Sequence, residues 1–291
     1  MNRWARLSLA LKAALLGAAV ALAAAAALAW WWVHRYDMPS VEARLSTLAT
    51  AQGATPMACP TGDANLPPLR LLVLGQSNAA NHGELAPTTL SNQVTVWFEG
   101  RCYTANDPLP GGTGRGGSLW SWLPSELRQQ GIHRPVTLSV LAVGATSISD
   151  WTTPGAPLHK ALQRTAVQLA ETKQLPHLVL WQQGEADALT GLPSDAYLAS
   201  LRALATQLAA AGIQAPILLG KSTLCRQAPS PAIRRAMDMA TVDHRFRPGA
   251  DTDTLVGPSF RPDDCHFSVL GQQRGAALWA SAIAAALQPA R

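Results

Sequence analysis

The chain has 291 residues and a formal net charge of +5 at neutral pH. Residues 1–40 hold four basic side chains and one acidic one, so the other 251 residues carry a net charge of only +2. No basic run interleaved with aromatic residues occurs in them, and nucleic acid is therefore not an implied partner.

The first 36 residues have the pattern of a cytoplasmic stub followed by a membrane anchor. Residues 13–33 contain no charged side chain, and a helix of 21 residues spans roughly 30 Å, the thickness of a bilayer's hydrocarbon core. Basic residues precede this run and tryptophans end it, which predicts a single-pass anchor in the cell (inner) membrane, with the N-terminus in the cytoplasm and the rest in the periplasm or otherwise outside. The alternative is a cleaved signal peptide, because Ala27-Leu28-Ala29 resembles a cleavage site, although the apolar run exceeds the usual length of about 7–15 residues.

After the anchor, we predict a polar linker or stalk over residues 37–68 and one domain over residues 69–291. From residue 70 onward, short apolar runs alternate with longer segments of helical periodicity, which indicates α/β architecture with parallel strands and crossover helices. The runs are nearly continuous in apolar residues, as expected for a mainly parallel, five-stranded sheet covered on both faces. The predicted strands are residues 70–74, 94–98, 137–142, 177–181 and 216–220, and the predicted helices are residues 158–173, 195–211, 231–242 and 268–287.

Four cysteines, Cys59, Cys102, Cys225 and Cys265, lie in the segment predicted to be exported. An even number in an exported domain favours two disulfides, and three pairings are open. We prefer Cys225–Cys265 with Cys59–Cys102, because Cys225 follows a predicted strand and Cys265 lies in a candidate functional loop. No C-x₂-C pair indicates a zinc site, and the sequence implies neither a metal nor a cofactor. It leaves the oligomeric state open.

A serine and a histidine lie at predicted strand ends, which is where open parallel sheets bind their ligands. Ser77 comes three residues after the first predicted strand, and His266 lies just before the last predicted helix. A serine hydroxyl becomes a nucleophile when a base takes its proton, and an imidazole acts as that base when a carboxylate orients it. Asp263, three residues before His266, can supply the carboxylate. The alternative is that Ser77 is an ordinary turn residue and that Asp263 or Asp264 caps a turn.

Four short sequence blocks each lie at a predicted strand end, and they occur in the same order as the blocks of a known family. They are GQSN at 75–78, VGATSISDW at 143–151, WQQGEAD at 181–187 and DDCHF at 263–267. They resemble the GQSN, GGTxIxxW, WxQGExD and DxxHF blocks of the SGNH-hydrolase superfamily, and within it those of the sialate O-acetylesterase and acetylxylan-esterase group. The resemblance covers about residues 69–288.

This resemblance implies a three-layer α/β/α sandwich of the SGNH, flavodoxin-like kind and a carboxylic ester hydrolase. Ser77 would attack the ester carbonyl, and His266 would act as base and then as acid while Asp263 orients it. The oxyanion hole would consist of the backbone N–H groups of Ser77 and Gly144 and the side-chain amide of Gln183. The substrate would be an acylated carbohydrate of the cell envelope or periplasm.

Several assignments stay open. Glu185 lies in one of the four blocks and is the alternative acid for His266. Asn78, Asp187 and Trp151 are interpreted as stabilising loops. His82 is assigned to the rim of the site. Ala145 replaces the second glycine of the GGT pattern.

Two other functions are compatible with parts of the pattern. A carbohydrate O-acyltransferase could use the same three residues and pass the acyl group to a sugar instead of water. A non-catalytic glycan-binding protein would require a broken catalytic set. The Gly-rich stretch 110–117 is interpreted as a loop, because it lacks the GK[ST] ending of a phosphate-binding loop.

Overall fold

A computed structural model describes residues 11–12, 17–18, 20, 22–25, 38–61, 67–86 and 94–288. The chain divides into two compact units, Met1–Ser40 and Val41–Arg291. Most of the predicted membrane span, residues 13–33, lies outside the described residues. In the parts of the chain that are described, no helix is both long and apolar enough to cross a membrane.

The second unit is built on one sheet, which has eight strands among the described residues. The strands are β1 Thr55–Met57, β2 Leu69–Gly75, β3 Val94–Phe98, β4 Arg101–Ala105, β5 Val136–Ala142, β6 Leu178–Gln182, β7 Ile217–Lys221 and β8 Phe246–Asp251. Their order in the sheet is β1-β4-β3-β5-β2-β6-β7-β8. The six strands from β3 to β8 in this order run parallel to one another. β4 pairs antiparallel with β3, and β1 pairs antiparallel with β4.

The prediction of a mainly parallel α/β sheet is confirmed, and the prediction of five strands is wrong. The five predicted strands correspond to β2, β3, β5, β6 and β7, whose residues are mostly buried. The three additional strands lie towards the two edges of the sheet. They lack a continuous apolar run, because β1 is exposed along its length and β4 and β8 are buried at only some positions.

Helices cover both faces of the sheet and complete a three-layer sandwich. Alternate residues of β2 point to opposite faces, so Leu72 and Leu74 join one core and Leu71 and Val73 join the other. The helices are α1 Val41–Leu45, α2 Leu123–Gln129, α3 Ile148–Thr152, α4 Pro157–Glu171, α5 Glu185–Leu189, α6 Ser194–Ala210, α7 Pro231–Ala240 and α8 Val269–Leu287. The first core includes residues of α3, α4, α6 and α7, and the second includes residues of α2 and α8.

The segment predicted as a linker, residues 37–68, contributes to this unit from residue 41 onward. It supplies α1 and the edge strand β1, and the Cys59–Cys102 disulfide joins it to β4. Ala49 also exchanges backbone hydrogen bonds with the Gly-rich loop, to Gly111 at 2.8 Å and Gly112 at 2.9 Å. Residues 41–59 are therefore bonded to the sheet edge and to a loop near the strand ends.

The carboxyl ends of the parallel strands bring three of the four sequence blocks to one edge of the sheet. Ser77 follows β2, Gly144 follows β5, and Gln183 and Glu185 follow β6. Each of these residues is buried. The sheet topology thus places the predicted site residues on neighbouring strands, since β2 lies between β5 and β6.

Candidate active site

The turn that carries Ser77 depends on a glycine. Gly75 has a φ of +149°, and a Cβ atom there would lie 2.0 Å from the carbonyl oxygen of Gln182. Only glycine lets β2 end so close to β6. The chain then makes a 3₁₀ turn over Ser77–Ala79, and the Ser77 side chain is almost fully buried. The Ser77 hydroxyl has no hydrogen bond to a histidine or to Asp263 among the described residues.

His266 is oriented by Asp263 in the loop before α8. The Oδ2 atom of Asp263 lies 2.7 Å from Nδ1 of His266, and Oδ1 accepts hydrogen bonds from the backbone N–H groups of His266 at 2.6 Å and Cys265 at 3.0 Å. Partial burial opposes ionisation of Asp263, but these hydrogen bonds outweigh it and hold the pKa of Asp263 below its usual value. Asp263 is therefore a carboxylate that can accept a hydrogen bond from Nδ1–H of His266 and leave Nε2 free to act as a base.

Residues 255–268, which we call the His266 loop, are held in place by a buried arginine and a disulfide. The Arg261 side chain is 1% exposed and donates to the carbonyl oxygens of Leu255 at 2.9 Å, Thr252 at 3.0 Å and Cys265. Cys265 also forms the predicted disulfide with Cys225, in the segment that follows β7. The structure thus contains both disulfides that the sequence favoured.

Asn78 connects the Ser77 turn to the His266 loop. Its side-chain amide donates to the carbonyl oxygen of Cys265 at 3.2 Å and to Oε1 of Glu185 at 2.8 Å. The residue after Ser77 therefore contacts the residue before His266. This link brings the predicted nucleophile and base to adjoining loops, although residues 77 and 266 are far apart in the sequence.

Glu185, the alternative acid, has no hydrogen bond to His266 among the described residues. Its Oε1 atom accepts hydrogen bonds from Asn78 and, at 2.7 Å, from the hydroxyl of Ser222. Burial raises the pKa of Glu185 to about 7, against the opposing effect of these two hydrogen bonds. The geometry consequently favours Asp263 over Glu185 as the acid that orients His266.

Two of the three predicted oxyanion donors are engaged by other groups of the protein. The Gly144 N–H donates to Oγ1 of Thr113 at 2.8 Å. The Gln183 amide is fully buried and donates to Asp187 and, at 2.9 Å, to the carbonyl oxygen of Thr146. The oxyanion roles of Ser77, Gly144 and Gln183 stay predictions.

Asp187 and Trp151 hold loops together, in agreement with their interpretation from the sequence. Asp187 accepts the backbone N–H of Ile148 at 2.9 Å and the Gln183 amide, and burial raises the pKa of Asp187. Trp151 is fully buried against Trp181, with ring centroids 5.4 Å apart in an edge-to-face arrangement.

Two further residues lie at the site: His82, which was assigned only to its rim, and Thr113, which was not singled out. The His82 ring stacks on His266, with centroids 5.5 Å apart and planes 24° from parallel. Its Nε2 atom lies 3.0 Å from Oγ1 of Thr113, the one non-glycine residue among residues 111–114. Burial, and then the neighbouring His266, lower the pKa of His82 to about 4. His82 therefore lies inside the site rather than only at its rim, and a polar residue flanked by glycines was the signal for Thr113.

Comparison with known proteins identifies the family of the chain. Residues 70–284 match the model of the family described as "SASA: Carbohydrate esterase, sialic acid-specific acetylesterase". The chain belongs to this family. It is a carboxylic ester hydrolase of the sialate O-acetylesterase type, as the four blocks implied. No curated protein sequence matches this esterase.

Three solved structures are similar to the chain. A protein of Arabidopsis thaliana is 18% identical, with a TM-score of 0.59 over 76% of this chain and 99% of that one. A putative SGNH hydrolase from Slackia heliotrinireducens is 17% identical, with a TM-score of 0.42 over 74% of this chain and 98% of that one. The protein NanS is 14% identical, with a TM-score of 0.47 over 80% of this chain and 97% of that one. The first of these likenesses shows that the esterase shares the fold of the Arabidopsis protein.

Proposed function

We propose that this esterase removes O-acetyl or other short acyl groups from a carbohydrate through a covalent intermediate on Ser77. The observation that carries the proposal is the Asp263–His266 pair, whose carboxylate and ring nitrogen are 2.7 Å apart in a loop tied to the Ser77 turn through Asn78. The family to which the chain belongs is described as specific for acetyl esters of sialic acid, which supports an acetylated carbohydrate as the substrate.

The reaction proceeds in two halves. The Ser77 Oγ atom attacks the carbonyl carbon while Nε2 of His266 takes the hydroxyl proton, and the resulting tetrahedral intermediate carries a negative oxygen. His266 then gives the proton to the sugar oxygen as the ester bond breaks, which leaves Ser77 acylated. Water attacks the acyl-enzyme with His266 again as base, and the products are the acid and free Ser77. Throughout, Asp263 accepts the Nδ1–H and stabilises the imidazolium that forms twice in the cycle.

The test compares the wild-type protein with Ser77→Ala on p-nitrophenyl esters of increasing chain length and on O-acetylated sialic acid and xylo-oligosaccharides. We expect wild-type activity to be highest on acetyl esters, and Ser77→Ala to lower kcat/KM by at least about 10⁴-fold, because the covalent pathway is lost. Ser281→Ala is a matched control, since Ser281 lies on the exposed face of α8 and donates only to Ala277 of the same helix.

Covalent labelling gives an independent readout. A fluorophosphonate should label wild-type protein at Ser77 and should leave Ser77→Ala unlabelled. Equal rates for wild type and Ser77→Ala on the whole panel would contradict the proposal. Preferential acyl transfer to an added sugar, in place of acetate release, would indicate the acyltransferase alternative.

We also propose that the domain acts outside the cytoplasm, attached to the cell membrane by its N-terminal segment. The uncharged run of residues 13–33 and its basic flank support this location. The two disulfides add support, because disulfides persist in oxidising compartments. Protease added to spheroplasts should digest the domain, whereas protection until the membrane is lysed would contradict an external location. The mass of the mature chain separates a retained anchor from a cleaved signal peptide.

A further inference from the structure

A chain of hydrogen bonds links Gly144, Thr113 and His82. The Gly144 N–H donates to Oγ1 of Thr113 at 2.8 Å, and this oxygen lies 3.0 Å from Nε2 of His82. A Cβ atom at Gly144 would lie 2.9 Å from Nε2 of His82. His82 therefore packs directly against the backbone of Gly144. The Gly144 N–H is hydrogen-bonded to Thr113.

The backbone fixes Thr113 from both sides. Its N–H donates to the carbonyl oxygen of Ala142 at 2.9 Å, and its carbonyl oxygen accepts the N–H of Asn81 at 2.9 Å. The next residue, Gly114, has a φ of +93°, and a Cβ atom there would lie 2.3 Å from the carbonyl oxygen of Asn81. The glycine thus allows the loop to press against the segment that leads to His82. Thr113 is 4% exposed, so its hydroxyl has a set position between two loops.

The polar hydrogens of Thr113 and His82 determine which hydrogen bonds the pair can donate to a ligand. Thr113 has one hydroxyl proton, and the neutral His82 ring has one N–H. If Nε2 carries the ring proton, Thr113 accepts from both Gly144 and His82, and its own hydroxyl proton is left over. If Nδ1 carries it, Thr113 donates to Nε2 and the Nδ1–H is left over. In either tautomer the pair has one hydrogen to donate to another molecule.

The position of the pair indicates which molecule that is. The His82 ring stacks on His266, which is the base in the function proposed above, and Gly144 follows β5 beside the strand that leads to Ser77. The pair therefore lies between the base and the backbone amide that the family resemblance assigns to the oxyanion. We propose that Thr113 and His82 act as one hydrogen-bond donor to the ester carbonyl oxygen, and that the Gly144 N–H contributes by polarising the Thr113 hydroxyl. This inference rests on the proposed esterase function.

The test uses Thr113→Val, which keeps the shape of the side chain and removes the hydroxyl. We expect kcat on p-nitrophenyl acetate to fall about 10²-fold while KM changes less than about threefold, because the lost hydrogen bond acts on charge that develops in the transition state. Thr113→Ser should recover most of the activity. Thr206→Val, at an exposed position of α6, is the control for the substitution itself.

A thionoester substrate separates a contact with the carbonyl oxygen from a structural role. Sulfur accepts hydrogen bonds poorly, so wild type should prefer the oxygen ester, and Thr113→Val should lose most of this preference. His82→Phe should lower kcat about tenfold or more, because the Thr113 hydroxyl is then no longer held by the ring. His82→Phe carries the same test if Thr113→Val does not fold.

The outcomes distinguish this inference from the esterase function itself. An active wild type together with an unchanged oxygen-to-sulfur preference in Thr113→Val would overturn the role of Thr113. An unchanged kcat in His82→Phe would overturn the role of His82. A wild-type protein that neither hydrolyses esters nor reacts with a fluorophosphonate would overturn the proposed function and this inference together.

Discussion

Two carboxyl groups lie near Ser77, and their surroundings are opposite. The side chain of Asp263 is 46% exposed and accepts three hydrogen bonds from the His266 loop, which hold its pKa below the usual value. Glu185 is completely buried, and burial raises its pKa to about 7. One of its oxygens accepts from Asn78 and Ser222, and the other, Oε2, has no hydrogen-bond partner among the described residues.

The difference indicates two separate tasks. A carboxylate that stabilises an imidazolium must stay charged, and the donors around Asp263 favour the charged form. The unpaired oxygen of Glu185 would make a full negative charge costly in its buried position. Glu185 instead joins Asn78 to Ser222, and through Asn78 it supports the contact between the Ser77 turn and the His266 loop. Position in a sequence block therefore identifies both residues as important, and their surroundings separate their roles.

The largest effect that tests this comparison is on the rate. Asp263→Asn should lower kcat/KM by about 10³–10⁴-fold, because an amide that faces Nδ1 favours the wrong ring tautomer and cannot stabilise the imidazolium. Glu185→Gln should stay within about tenfold of wild type, since the amide oxygen still accepts from Asn78 and Ser222. The measurement is kcat/KM on p-nitrophenyl acetate at neutral pH.

Asp264→Asn is the matched control for Asp263→Asn. Asp264 is the neighbouring residue, is exposed and has a φ of +60°, a conformation that asparagine accepts well. It should therefore retain wild-type activity. A larger loss in Glu185→Gln than in Asp263→Asn would reverse the assignment and make Glu185 the acid of the site.

The inner part of the fold could be predicted from the sequence, and its edges could not. Strands buried on both faces read as continuous apolar runs, which is why β2 and β6 were found to within one or two residues. An edge strand such as β1 is three exposed residues long and becomes a strand only through its pairing with β4. Its sequence contains no such pattern, because the stabilising partner lies elsewhere in the chain.

The same division holds for the site. Ser77, Asp263 and His266 could be predicted because each lies at a strand end or before a helix, and the topology of a parallel sheet brings those ends together. The environment of Thr113 depends on how a loop of glycines folds over the Ser77 turn. No periodicity encodes that fold, so the contact between Thr113 and His82 emerges only in three dimensions.

The two disulfides allow a second test, because they close loops of similar length in different regions. Their sequence separations are 43 residues for Cys59–Cys102 and 40 residues for Cys225–Cys265, so the loss of either should cost about 4 kcal/mol of unfolding free energy from chain entropy. The double variant Cys225→Ala with Cys265→Ala should also lower kcat at least about tenfold, since Cys265 precedes His266. The double variant Cys59→Ala with Cys102→Ala should keep its kcat.

Urea unfolding and steady-state kinetics on both double variants check this expectation. Equal losses of kcat in the two variants would show that the disulfides act on activity only through global stability. A loss confined to the Cys225–Cys265 pair would localise the effect to the His266 loop.

The smallest expected effect is on the pH dependence of stability, and it concerns Glu185 alone. The pKa of Glu185 is about 7 in the folded protein and near its ordinary value of 4.5 in the unfolded chain. The folded state therefore binds the proton more tightly, and the stability that this proton provides is complete below pH 4.5 and is lost as the pH rises through 7.

Glutamine has no such proton to lose. Relative to wild type, Glu185→Gln should thus gain about 3 kcal/mol of unfolding free energy between pH 4.5 and pH 8, since one pKa unit corresponds to about 1.4 kcal/mol. Urea unfolding of both proteins at the two pH values measures this difference. The contributions of all other titrating groups are the same in both proteins and cancel. A difference independent of pH would mean that folding does not raise the pKa of Glu185, and the contrast between the two carboxyl groups would then disappear.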